Sequence, residues 1–183
     1  MQNMLSPVAL YTTIDEKDSK TMTTIKPATT SAVTNPDVAA GVAQFLGPVV
    51  VDLQALAING KQAHWHVRGA NFVGVHELLD TIVTNAQGFA DLAAERIIAL
   101  GLPVDARLAT VAAQTTTGTL SEGFQQSPVI IREFIAQMDA AIAATNTAVA
   151  ELDDIDLVSQ DIAIAIAQGL DKDRWFLFSH ISE

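Results

Sequence analysis

Cysteine is absent from the 183 residues. That excludes disulfide bonds, thiolate zinc sites and thiol catalysis, and it leaves the redox compartment open. Basic side chains are scarce: ten Lys and Arg stand against twenty-one Asp and Glu, a formal charge of −11. Such a surface repels phosphate backbones and draws cations, so metal ions are favoured over nucleic acid as partners. No uninterrupted apolar run approaches twenty residues, and the stretch from Met1 to Tyr11 lacks the basic start and apolar core of a secretory signal. The expectation is a soluble, cytoplasmic protein. Charged residues make up only 17% against 49% hydrophobic, enough for one sizeable core and hence one domain.

Residues 1–36 differ from the rest. They are rich in Thr and Ser, contain Pro7, Pro27 and Pro36, and follow no sustained period, which predicts a flexible N-terminal extension. Lys17, Lys20 and Lys26 are offset there by Asp15, Glu16 and Asp18, so the segment is not a basic arm for gripping DNA.

From Asp37 onward apolar residues recur at helical spacing, first through Val38, Val42, Phe45, Val49, Leu53 and Leu56, then through Val75, Leu79, Ile82, Ala86, Phe89, Ala93 and Ile97. Asn35-Pro36-Asp37 reads as the start of the first helix, while Gly47-Pro48 inside it predicts a kink or a restart. Gly101-Leu102-Pro103 stops the second helix. A long crossover over 104–126 holds one short helix near Arg107 to Ala113. A third helix starts at Ser127-Pro128, and a fourth follows the break at Asp153, Asp154 and Asp156. Four long helices with one central crossover describe an all-α four-helix bundle of ferritin-like connectivity over 37–183.

The segment KQAHWHVRGANFVGVHELLDTIVTNAQGFADLAAER, Lys61 to Arg96, carries acid-bearing i,i+4 pairs, His76 with Asp80 and Asp91 with Glu95. On one helix Asp80, Asp91 and Glu95 lie roughly 40°, 60° and 100° around the axis from His76, a single stripe. Asp80 and Asp91 are nevertheless about 16 Å apart along it, against metal–ligand bonds of about 2 Å. One helix cannot close both pairs on one ion, but two copies related by a twofold axis bring the unlike ends together and create two equivalent shared sites. His64, at the end of the preceding helix, is placed to join the same cluster.

These residues, with Leu170-Asp171-Lys172 and Trp175, are similar to Dps, the mini-ferritin family of DNA-binding proteins from starved cells. The resemblance implies a hollow dodecamer that oxidises Fe(II), preferably with hydrogen peroxide, stores Fe(III) as a mineral and so protects against oxidative stress. It implies a di-iron site in which His64, His76 and Asp80 of one subunit face Asp91 and Glu95 of its mate. By analogy His64, Asp91 and Glu95 hold the tighter iron and His76 and Asp80 a second, with Glu95 as bridge. Imidazole and carboxylate suit Fe(II), and carboxylate suits Fe(III).

Other readings stand beside these. Trp65 is either an electron shuttle near iron or a packing anchor. His66, where the family usually has Asn, is either an added metal or proton-transfer group or a surface histidine, and His180 has no evident partner. Asp156 and Asp161, with Asp153 and Asp154, either line a threefold ion pore or form a solvated turn with acids at a helix N-terminus. The alternative functions are a DNA-compacting, nucleoid-associated protein, which the charge disfavours, and a metal-dependent hydrolase of amides or esters.

Overall fold

The Asn35 side-chain oxygen accepts the Asp37 N–H at 3.0 Å, and Pro36 pre-sets the first turn, so α1 starts where the sequence places it and runs over Pro36–His66. The computed structural model describes residues 35–182. The flexible extension expected for 1–36 falls outside the described residues apart from Asn35 and Pro36. After α1 come β1 (Val67–Arg68), α2 (Phe72–Ala99), α3 (Leu108–Gln114), β2 (Gln125–Gln126), α4 (Ser127–Glu151) and α5 (Leu157–Phe178).

The expected break at Gly47-Pro48 does not occur, since α1 passes through Pro48 without interruption. Pro48 is exposed, so the Gln44 carbonyl that loses its helical donor lies on the outer side of the helix. Ser127, where the sequence starts the third helix, is the first residue of α4, with Gln126 in the cap position. Its hydroxyl donates to the Ala70 carbonyl at 2.6 Å, tying the start of α4 to the turn between α1 and α2.

The connectivity follows from a feature the periodicity does not show. β1 and β2 pair in parallel, Val67 with Gln125 and Arg68 with Gln126. The end of α1, the start of α2 and the start of α4 therefore share one end of the bundle. Because α2 spans about 42 Å at 1.5 Å per residue, the connection from 100 to 124 must travel back along the molecule. α1 packs on α2 and α4, and α5 packs on α4 and α2. The core runs through this square, with Leu46, Leu53, Leu56, Leu79, Phe134 and Ile166 among its fully buried side chains.

Two polar networks fasten the pieces. Asp52, 1% exposed in mid-α1, accepts from Thr115 Oγ1 (2.9 Å), Thr116 N (2.7 Å) and Thr116 Oγ1 (2.6 Å), pinning the crossover to the bundle. Asp156 caps α5 through the Ser159 N–H at 2.9 Å and also accepts from Arg96 Nη2 of α2 at 2.7 Å. Among the described residues α1 is the one helix long and apolar enough, by length and composition, to cross a bilayer. Just over half of its most apolar window, 56%, is buried inside the bundle, which is where that apolarity is used.

Candidate metal centre

α1 ends at His66 because Gly69 and Asn71 adopt left-handed backbone, φ +94° and 58°, and reverse the chain into α2. The positive φ favours glycine at position 69, and a Cβ there would also come within 2.1 Å of Gln126 Oε1, so that side chain would have to move aside. This tight turn sets the last turn of α1 against the first turns of α2, and His64 meets His76. Their rings stack at 3.6 Å between centroids with 20° between planes. His64 Nδ1 donates to the His76 carbonyl at 2.8 Å, and His76 Nδ1 donates to the His64 carbonyl at 2.9 Å.

The reciprocal pair decides the chemistry of both rings. A carbonyl only accepts, so each Nδ1 carries the proton, and in the neutral ring each Nε2 keeps a free lone pair. This second hydrogen bond is the one that orients and fixes the tautomer of metal-binding histidines. It also satisfies the His64 carbonyl, one of the four at the end of α1 that have no intrahelical partner.

Asp80 lies one turn beyond His76, with Oδ1 at 3.9 Å from His64 Nδ1. Lys61, one turn before His64 on α1, places Nζ at 2.5 Å from the same oxygen. The Lys61 hydrogen bond, against a smaller opposing effect of burial and with the charges of His64, Lys61 and His76 in support, holds the Asp80 carboxyl below its ordinary value. Lys61 was not singled out from the sequence, although its i,i+3 spacing to His64 puts both on one face of α1. Trp65 is 61% exposed beside this cluster, with Lys61 Nζ 5.9 Å from the centre of its ring.

Asp91 and Glu95 stand exposed further along the Asp80 stripe of α2. Within one protomer, no three His, Asp or Glu side chains among the described residues gather closely enough to hold a metal ion. The five candidates thus form two sets, His64, His76 and Asp80 at one end of α2 and Asp91 with Glu95 at the other.

The remaining singled-out residues are elsewhere. His66 Nδ1 bonds to the Gln62 carbonyl at 2.9 Å, and its ring lies 5.5 Å from Phe124, itself covered by the Arg68 guanidinium at 3.4 Å. His180 lies over the first turn of α2, 3.4 Å from where a Cβ on Gly74 would be. Burial pushes the Asp156 carboxyl up, but the hydrogen bonds from Ser159 and Arg96 outweigh it and hold the group below its ordinary value. Asp156 is therefore committed within its own chain, whereas Asp161 is exposed.

Residues 46–183 match the family model of the ferritin-like domain. The DNA protection during starvation protein of Mycolicibacterium smegmatis is 33% identical over 147 residues, covering 78% of each chain. The chain belongs to the Dps family of ferritin-like proteins. Its counterpart in Agrobacterium fabrum is 35% identical over 136 residues, 70% of this chain and 80% of the relative. A solved structure of Dps from Microbacterium arborescens, described as a high iron form, is 54% identical, covers 81% of this chain and 97% of that one, and superposes with a TM-score of 0.79. The all-α, ferritin-like architecture of this Dps-family chain is the one expected from its helix spacing, short crossover helix included.

Proposed function

We propose that this Dps-family chain is a ferroxidase and iron store, and that its substrate iron binds between two protomers. In this reading His64, His76 and Asp80 of one protomer face the partner's Asp91 and the partner's Glu95, and the twofold axis repeats the arrangement. The observation that supports it best is the His64–His76 exchange, which frees two Nε2 lone pairs beside the Asp80 carboxylate. Nitrogen and oxygen donors of this kind suit Fe(II), and the carboxylates suit the harder Fe(III) product.

The side chains would act as follows. His64, 8% exposed, offers a nearly fixed, partly desolvated imidazole, and with the partner's Asp91 and Glu95 it completes the tighter position. His76 and Asp80 form the weaker one, where Lys61 holds the Asp80 carboxylate until a cation displaces it. Two Fe(II) ions supply the two electrons that break the O–O bond of one hydrogen peroxide. Oxygen leaves as water or hydroxide and no hydroxyl radical is released. The Fe(III) product is stored as mineral inside a dodecamer in the cytoplasm, with Asp161 the better candidate for a cation path than the committed Asp156.

Anaerobic Fe(II) titration followed by peroxide tests this directly. Rapid oxidation is expected of the native chain and is lost in Asp91→Ala plus Glu95→Ala while the assembly keeps its size. Equal rates in the two proteins would refute the reading. DNA protection is the second reading, favoured by the names of the relatives and opposed by a charge of −11 per chain. A gel shift at low salt that disappears with added salt would support it.

A further inference from the structure

The four metal-centre candidates on α2 are placed symmetrically along it. His76 and Glu95 lie equally far on either side of the point between Asn85 and Ala86, and Asp80 and Asp91 lie equally far from the same point. In an antiparallel pair of helices related by a twofold axis, the residues that face each other are those equidistant from the axis. One register therefore sets His76 against the partner's Glu95 and Asp80 against the partner's Asp91, with the axis crossing α2 between Asn85 and Ala86. The charges agree with it. The end that carries His64, His76 and Asp80 also carries Lys61, which already neutralises Asp80, whereas among the described residues neither Asp91 nor Glu95 forms an ion pair in its own chain.

Thr84 and Gln87 are the pair nearest the axis on this stripe, roughly 80° and 20° around α2 from His76, and both are exposed. Thr84 Oγ1 donates to the Asp80 carbonyl at 3.0 Å, so its hydroxyl is committed within the helix. Gly88 borders them at roughly 120° and is exposed as well. A glycine in mid-helix costs about 1 kcal/mol relative to alanine, and nothing in its own chain requires it here. A Cβ built at Gly88 meets nothing within 4 Å, whereas at Gly41, Gly60, Gly74 and Gly169 a neighbour stands in that space. Gly47 shares the freedom of Gly88 but belongs to α1 rather than to the stripe.

We propose that two copies of this chain cross at Thr84, Gln87 and Gly88 of α2, and that Gly88 is a positioning residue whose missing side chain brings the two halves of the metal centre within reach of the same ions. The proposal rests on the ferroxidase reading for which ligands face each other, and adds to it the register, the crossing point and the residue that sets the spacing. Asp has a single methylene, so Asp80 and the partner's Asp91 share an ion only if the two helices approach closely. Packed helices lie about 8–10 Å apart, and the side chains at the contact decide where in that range. In this register Gly88 is level, to within one residue, with the partner's Thr84. A larger side chain at position 88 would meet the partner there and push the half-sites apart.

The chain contains no cysteine, so an engineered pair reports a single contact. Full-length protein carrying Thr84→Cys with Gln87→Cys, treated with a mild thiol oxidant in the absence of iron, is expected to run as a reducible dimer on a denaturing gel. Glu77→Cys, exposed on the same stripe but about 26 Å from its own copy in this register, is expected to stay monomeric on that gel. A monomeric double variant, or a crosslinked Glu77→Cys, overturns the register. Gly88→Leu is expected to keep its helical content, since the new side chain meets nothing in its own chain, and to oxidise Fe(II) with peroxide about 100-fold more slowly, the scale of a misplacement of roughly 1 Å. Gly88→Ala, only a methyl larger than the native residue, is expected to keep most of the native rate. A native rate in Gly88→Leu, or equal losses in the two variants, overturns the spacing role. The crosslink needs no iron, so it is decided apart from the ferroxidase reading, which the Asp91→Ala plus Glu95→Ala comparison decides.

Discussion

His64 and His76 hold each other: each Nδ1 donates to the other's backbone carbonyl while the rings stack at 3.6 Å. One contact thereby closes the end of α1, orients two imidazoles and selects their tautomers. Replacing His76 by Phe keeps a stacked ring but removes the N–H. The His64 carbonyl then loses its side-chain donor, at a cost of about 1 kcal/mol in unfolding free energy. Affinity for Fe(II), measured by anaerobic calorimetry, is expected to fall about 10- to 100-fold, the range for losing a supporting hydrogen bond and more if the ligand goes too. Unaltered affinity would show that His76 does not serve the site.

Lys61 and Asp80 make the opposite kind of contact, an ion pair that iron must break. Lys61→Met is expected to change thermal stability little, under about 1 kcal/mol, because both side chains are partly exposed. The same substitution should raise affinity at the weaker iron position and speed oxidation at low Fe(II). Slower oxidation would mean that Lys61 assists the reaction rather than competing with the ion.

Asp52 holds the crossover from inside the bundle through three hydrogen bonds to Thr115 and Thr116. Asp52→Ala leaves those donors without their acceptor and is expected to cost about 3 kcal/mol, read from denaturant unfolding. Amide exchange at Thr116 should accelerate more than at Leu56 in the α1 core. Uniform acceleration would show that Asp52 supports the whole bundle instead of the crossover.

Two acids should give stability opposite dependences on pH. Burial, only partly offset by Asn85 and the charge of Lys172, raises the Asp173 carboxyl above its ordinary 3.8, and the side chain is 4% exposed. The folded state then keeps this proton longer than the unfolded state, so stability is lost as pH climbs from about 3.8 through the raised value. Asp156 is lowered, so its contribution is present above 3.8 and is lost as pH falls through the lowered value. Asp173→Asn is expected to melt above the native protein at pH 7 and to lose that advantage toward pH 4. A constant difference across this range would contradict the assignment.

The helices were legible in the sequence because their signals are local. Asn35-Pro36-Asp37 caps and starts α1 as read, and the stripe of Asp80, Asp91 and Glu95 on α2 needs only the helical period. Gly47-Pro48 misled because propensity alone does not record that Pro48 is exposed and its helix held by burial on the other side. The β1–β2 pair, Asp52 and the Ser127 contact with Ala70 were invisible for the opposite reason. Each joins residues more than fifty positions apart through at most a few hydrogen bonds, a single one in the case of Ser127, with no periodic trace. At the metal centre the residue types were readable, but the His64–His76 exchange and the Lys61 pair depend on the turn at Gly69 and Asn71.

Crystals soaked anaerobically in Fe(II) and measured at the iron absorption edge test the central claim most directly. The expected anomalous peak lies between His64, His76 and Asp80 of one protomer and the partner's Asp91 and the partner's Glu95, once for each half of the twofold pair. Iron held by a single protomer, or no peak at that seam, would contradict it.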